Sequence, residues 1–188
     1  MTETAGFFPE TTFVPVGMRD HIDDPDGLVV NTCSDNGSAL LGDLTHWSWS
    51  NPTNRRLAHH YAGVTAVSVE CLWQGTKMMP EMVSPNSEIL GGNWRLMKGR
   101  RPLGAWAGEG EPLITDPGQA RRLIYLPAYL NLILFWLENG ADEILIEAAS
   151  YPTVYLRDFD TGRGLDRNGA MSHAWVLSYF LNNKEMPK

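Results

Sequence analysis

The sequence is poor in the features that would tie it to a membrane, a nucleic-acid backbone or a metal. Its most apolar run, Ala128 to Asn139, covers about 12 residues, well short of the roughly 20 a helical span requires, so it reads as a buried central helix. The opening, MTETAGFFPE, lacks the basic segment leading into an apolar one that marks a secretion signal. Cysteine is limited to Cys33 and Cys71. Without a signal these read as reduced thiols, and the expected compartment is cytoplasmic. Positive charge is short as well: the net charge is −7. That argues against a broad grip on phosphates and leaves only local basic patches at Lys98, Arg100 and Arg101 and at Arg121 and Arg122. His21, His46, His59, His60 and His173 make no HExxH pattern and no zinc-ligand spacing is present, so neither a metal nor another cofactor is expected. Internal repeats, low-complexity segments and Gly/Ser linkers are also lacking.

What remains is an ordinary globular composition with many aromatics. The chain has 188 residues, 43% of them hydrophobic and 20% charged, which suits one domain with a sizeable core. Seven Trp and six Tyr are many for this length. Aromatic rings fill cores and also line pockets for flat ligands.

Residues 1–27, with Pro9, Pro15, Pro25 and an acidic run at Asp23, Asp24 and Asp26, read as an arm packed on a domain formed by residues 28–188. Short strands are expected at Leu28–Val30, Val64–Val69 and Val154–Leu156. Short helices are expected over Thr53–Tyr61 and over Ser87–Met97, the latter with Ser87 as its cap. Asp116-Pro117 is a helix start, and Pro127 should break or kink that helix. A final apolar helix covers Ala170–Asn182. The expected class is α+β, mostly helical, with a few short strands in a single domain.

Three polar stretches carry chemistry. In Val69-Glu70-Cys71-Leu72-Trp73-Gln74-Gly75-Thr76-Lys77, Glu70, Gln74 and Lys77 stand at i, i+4 and i+7. On a helix that spacing places an acid, an amide and an amine on one stripe, which serves as one wall of a pocket or as a solvated face. In Lys98–Trp106, the paired guanidinium groups of Arg100 and Arg101 beside Trp106 suit a phosphate next to a flat ring, or a plain basic turn. In Arg157–Gly169, three Asp, three Arg and three Gly suit catalysis or ribose binding, or pair among themselves in an ordered loop. A fourth, shorter stretch, Asn31–Gly37, is a polar loop after a strand, with ligand contacts and a surface turn as the two readings.

The order of these stretches resembles the NADAR family, named for its link to NAD and ADP-ribose metabolism. Its Glu-x-x-x-Gln-x-x-Lys helix is matched by Glu70, Gln74 and Lys77, and its Gly-Arg loop with a following Trp looks like Gly99-Arg100 and Trp106. Its late acid before a Gly-rich, Asn-containing loop and terminal helix is similar to the segment from Asp158 to Gly169. An early Asn-x-x-Ser fits Asn31 and Ser34. The resemblance covers roughly Val30 to Leu181. It implies a NADAR-like domain that hydrolyses the N-glycosidic bond of a phosphorylated nucleoside or an ADP-ribosyl conjugate such as ADP-ribosyl-guanine. The implied partner is a small nucleotide or ADP-ribose-type ligand, extending to a modified nucleic-acid base, and no membrane. Glu70, Lys77 and one of Asp158 and Asp160 would then be catalytic. Asn31, Ser34, Trp73, Gln74, Arg100, Arg101, Trp106, Arg163 and Asn168 would bind substrate, Trp73 or Trp106 by stacking on the base. The alternative is a module that binds such a ligand without cleaving it.

Cys33 and Cys71 are expected to be free thiols. Intact mass under non-reducing conditions should lack the loss of about two hydrogens that a disulfide requires; such a loss would move the protein to an oxidising compartment.

Overall fold

The computed structural model describes residues 8, 10–32, 50–139, 142–158 and 172–184. The elements, in chain order, are β1 (Thr12–Gly17), β2 (Leu28–Asn31), β3 (His59–Tyr61), β4 (Val64–Ala66), α1 (Val69–Gly75), β5 (Lys77–Met78) and α2 (Ser87–Leu90). A 3-10 turn (Trp94–Met97), β6 (Gly104–Ala105), α3 (Pro117–Ala120), a π turn (Arg121–Tyr125), α4 (Leu126–Glu138), α5 (Asp142–Ala148), β7 (Thr153–Asp158) and α6 (His173–Asn183) follow. Helices and short strands are mixed, an α+β arrangement. The chain divides into two compact units, Met1–Asn51 with Ile133–Lys188, and Pro52–Leu132.

The first unit is built on a three-stranded sheet in the order β1-β7-β2, with β7 parallel to both neighbours. Alternation along β7 buries Val154, Leu156 and Asp158 on one face. Phe13 and Leu28 lie opposite Val154 on either side, and Val30 lies opposite Leu156, so one apolar row crosses all three strands. α6, capped by the Ser172 side chain accepting from the Trp175 N–H, buries Ala174, Val176, Leu177, Phe180 and Leu181 and packs on β1 and β7. Residues 1–27, read from sequence as an arm, thus supply the edge strand β1. The segment between β1 and β2 is held to the sheet: Asp20 Oδ2 accepts from the Gly17 N–H at 2.7 Å, and the Tyr155 hydroxyl donates to Asp24 at 2.8 Å. Gly27 is needed there, because a Cβ would stand 2.6 Å from the Tyr155 ring. β7 extends one residue before and two beyond the expected Val154–Leu156, so Arg157 and Asp158 belong to a strand and not to the polar loop.

In the second unit, β3 and β4 form a hairpin where a helix over Thr53–Tyr61 was expected. Ala62 and Gly63, with φ of 44° and 82°, make the two-residue turn with both central residues left-handed, the geometry that matches strand twist. Ser68 then caps α1 by accepting from the Cys71 N–H. Cys71 is buried as a free thiol, and Cys33 lies outside the described residues. α1 ends against α2 at Gly75, where a Cβ would meet Leu90 Cδ2 at 2.5 Å. The cap of α2 is Asn86, not Ser87; its Oδ1 accepts from the Glu88 and Ile89 N–H groups. α2 stops at the Gly91-Gly92 pair, and Met79, Ile89 and Met97 close a small core beneath.

Asp116 and Pro117 start α3 as expected. Pro127 neither breaks nor ends the helical path. The turn before it widens instead: the Leu126 N–H bonds back five residues to the Arg121 carbonyl. Proline offers no N–H and crowds the carbonyl four residues back, and a π turn absorbs both effects. Among the described residues, no helix is long and apolar enough to cross a membrane.

The free edge of β1 is covered by one side chain. Asn182 Oδ1 accepts from the Phe13 N–H at 3.0 Å and its Nδ2 donates to the Phe13 carbonyl at 2.8 Å, much as a neighbouring strand would. Replacing Asn182 by Ala strands two backbone groups. It should lower stability by about 1–3 kcal/mol, seen as a lower urea midpoint with an unchanged slope; an unmoved midpoint would show that water replaces the amide without loss.

Candidate functional site

α1 presents Glu70 and Gln74 one turn apart, and the Gln74 Nε2 donates to Glu70 Oε1 at 2.7 Å. Lys77 is not on the helix, as its i+7 spacing had suggested. α1 ends at Gly75, Thr76 bonds back to the Leu72 carbonyl through both its N–H and its hydroxyl, and Lys77 opens β5. The turn nevertheless returns Lys77 to the same group: its Nζ donates to Gln74 Oε1 at 2.7 Å. A carboxylate only accepts and an ammonium only donates, so the flanking groups fix which way the Gln74 amide points. The result is a relay of three side chains, Lys77 to Gln74 to Glu70, each half-buried. Glu70 gains further from its place in the first turn of α1, where a negative charge meets free N–H groups.

Trp73 forms the floor of this group, nearly buried at 9% exposure. The Lys77 Nζ lies 4.6 Å from its ring centroid and the Arg121 Cζ lies 5.4 Å away. Tyr125 meets the ring edge-on at 6.2 Å and stacks in turn on Tyr129 at 5.7 Å. Trp73, expected as a stacking surface for a base, therefore carries two cations. Arg121 belongs to this cluster and was not among the expected site residues. The signal that places it is the π turn, which no local spacing in the sequence announces.

Burial lowers the Lys77 pKa from its ordinary 10.5 to about 8, against the pull of Glu70 and with help from the Arg121 charge. An amine so poised exchanges its proton near neutral pH, as general acids and amine nucleophiles require.

The second polar stretch ends beside Lys77, with Ala105 paired to it in the β5–β6 ladder. Arg100 pairs with Glu81 in an exposed salt bridge, and Arg101 is exposed. Such pairs contribute little to stability. Trp106 ties down the β3–β4 turn: its Nε1 donates to the Ala62 carbonyl at 3.2 Å, while its backbone N–H bonds to Thr76 at 2.8 Å.

In the first unit, Asn31 ends β2 and Asp158 ends β7, at the carboxyl edge of the parallel sheet. Asp158 is buried, and its Oδ2 takes His173 Nδ1 at 3.0 Å and the Ala174 N–H at 3.3 Å at the start of α6. His173 Nε2 lies 3.1 Å from the Thr32 carbonyl. The imidazole thus spans two strand ends with an acceptor on each nitrogen, a hold that sequence spacing did not reveal. Ser34, Asp160, Arg163 and Asn168 lie outside the described residues. One more histidine is unusual: His59 on β3 is 2% exposed, its Nε2 has no hydrogen-bond partner among the described residues, and burial, with the His60 charge, holds its pKa down to about 4.

Residues 58–177 match a family of unknown function, DUF6939. The chain belongs to that family. The matched span contains the whole Glu70–Gln74–Lys77 relay, Trp73 and Arg121 of the second unit, and Asp158 and His173 of the first. No curated protein matches the chain, and no solved structure does.

The Lys77 amine should be half deprotonated near pH 8. Between about 8 and 10.5 the unfolded chain holds this proton and the folded one does not, so Lys77's contribution to stability rises with pH across that window and is flat below it. Pulse labelling with an amine-reactive reagent, read by peptide mass, should give a midpoint near 8 in the folded protein and a higher one in denaturant. Coincident midpoints would mean that the amine is not desolvated.

Proposed function

We propose that this protein is a hydrolase of N-glycosidic bonds, acting in the cytoplasm on a phosphorylated nucleoside or an ADP-ribosyl conjugate, as the resemblance to NADAR proteins implies. The observation that carries the reading is the relay Lys77–Gln74–Glu70, with a half-buried amine poised near pH 8 at one end and a carboxylate at the other. Cleaving a C1–N bond builds positive charge on the sugar and negative charge on the departing base. Glu70 answers the first need, by its charge or by taking a proton from the attacking water. Lys77 answers the second by protonating the base nitrogen as it leaves. In the other route its free amine attacks C1, the base departs with its electron pair and a proton, and water releases the sugar. A Lys77 acid gives a rate that falls above about pH 8, and a Lys77 nucleophile gives one that rises through it. The proposal does not draw on Asp158, whose carboxylate is taken up by His173 and Ala174. A binding module is the other reading, favoured by the mutual satisfaction of the three relay side chains.

Glu70→Gln separates these. Glutamine keeps the volume and still hydrogen-bonds Gln74 or a ribose hydroxyl, but it carries no charge and takes no proton. Release of free base and reducing sugar from nucleotide-type N-glycosides should fall by about 10²–10⁴ while ligand affinity and melting temperature stay near the parent's. Full activity in the variant would place the chemistry elsewhere. A parent that binds ADP-ribose and cleaves no N-glycoside offered would establish the binding module instead.

A further inference from the structure

Of the attractions that act on the Lys77 amine, one has a direction. The pull of Glu70 and that of the Trp73 face vary smoothly with position. The hydrogen bond to Gln74 Oε1, at 2.7 Å, does not. Among the described residues it is the only hydrogen bond that the Lys77 Nζ makes. Gln74 is fixed in turn from its other side, where Nε2 donates to Glu70. A half-turn of the amide would set Nε2 against the ammonium and Oε1 against the carboxylate, and both bonds would be lost. Both polar atoms of Gln74 are thus engaged by its neighbours before any ligand arrives. The lysine stem is long and flexible, and its charged end gains by reaching water. Two charged groups act on Lys77 where it sits, Glu70 from α1 and Arg121 from the start of the π turn. Its ladder partner β6 brings Gly104 and Ala105, which carry no charge.

We propose that Gln74 is a positioning residue: it pins the Lys77 amine against Trp73, out of water, and keeps that amine within the influence of the Glu70 charge. This role rests on the reading of the Glu70–Lys77 group as the working site, and it moves Gln74 from ligand contact to support. Without the Gln74 acceptor the amine swings out to water, regains an ordinary lysine's hold on its proton and no longer feels Glu70. The desolvation that poises Lys77 near neutral pH is then a property of the relay and not of Lys77 alone.

The test is a double-mutant cycle read by the Lys77 labelling midpoint, in the parent, Glu70→Gln, Gln74→Met and the double variant. Glu70→Gln alone should lower the midpoint below 8, because the Glu70 charge opposes the effect of burial. Gln74→Met, close in volume but without an acceptor, should raise it toward 10.5, by about one unit or more. Adding Glu70→Gln to Gln74→Met should then move it no further. An unchanged melting temperature in Gln74→Met separates release of one side chain from loss of the fold. If that variant does not fold, Gln74→Asn takes its place; its amide is one methylene short of Lys77, and the same pattern is expected. A midpoint that stays near 8 or falls when Gln74 is replaced overturns the proposal, as does a Glu70→Gln shift of equal size with and without Gln74. Turnover of nucleotide-type N-glycosides is read separately. Cleavage of none of them removes the hydrolase and leaves the positioning role standing. Cleavage by a Gln74 variant whose labelling midpoint matches the parent's keeps the hydrolase and removes the positioning role.

Discussion

The first unit depends on the pairing of β7 with two strands from the other end of the sequence. β7 is central, so both its edges are spoken for, by β1 and by β2, and neither outer strand pairs with the other. Parallel pairing over more than a hundred residues of separation closes large loops before any contact repays the ordering. The compensation is the apolar row of Phe13, Val154 and Leu28, together with the α6 face packed over it. Asp158 and His173 then join the ends of β7 and β2 to the start of α6. A buried acid at that position is held by a ring and a helix amide and is not exposed to solvent.

The candidate site obeys a different rule. Its groups are half-buried and electrostatically unequal, with an amine that burial makes reluctant to carry its charge. Desolvation alone would favour expelling Lys77 to water. The hydrogen bond to Gln74, the influence of Glu70 and the face of Trp73 hold it in place. The first turn of α1 and the turn into β5 fix the geometry to within one hydrogen bond at each step.

Much of this was legible in the sequence, and the failures have physical reasons. Glu70, Gln74 and Lys77 do converge, because i, i+4 spacing holds on α1. The third member lies just past the helix end, where Thr76 keeps a right-handed helical conformation and so leaves Lys77 within reach of Gln74 three residues back. The Asp116-Pro117 start is local chemistry and was readable; the π turn before Pro127 is one of several answers to the same steric problem and was not. Arg121 went unassigned for that reason. Arg100 stood out by its neighbours in sequence, which do not show its exposed ion pair with Glu81. His59–Tyr61 was read as helix because the Ala62-Gly63 turn is a less obvious hairpin signal than Asn-Gly. The alternation in β7 was visible, but its place at the centre of a parallel sheet comes from pairing at long range.

The π turn has a consequence for how the long helical path is phased. One residue more per turn means that everything before Arg121 and everything after Tyr125 are rotated relative to each other by about the angle of a single helical residue. The capped start at Asp116 and the seam of Tyr125, Tyr129 and Leu132 are therefore set independently. Deleting one residue inside the turn would re-phase the helix and swing Arg121 away from Trp73 while leaving that seam's internal spacing intact. The widened turn acts as a vernier between Arg121 and the core.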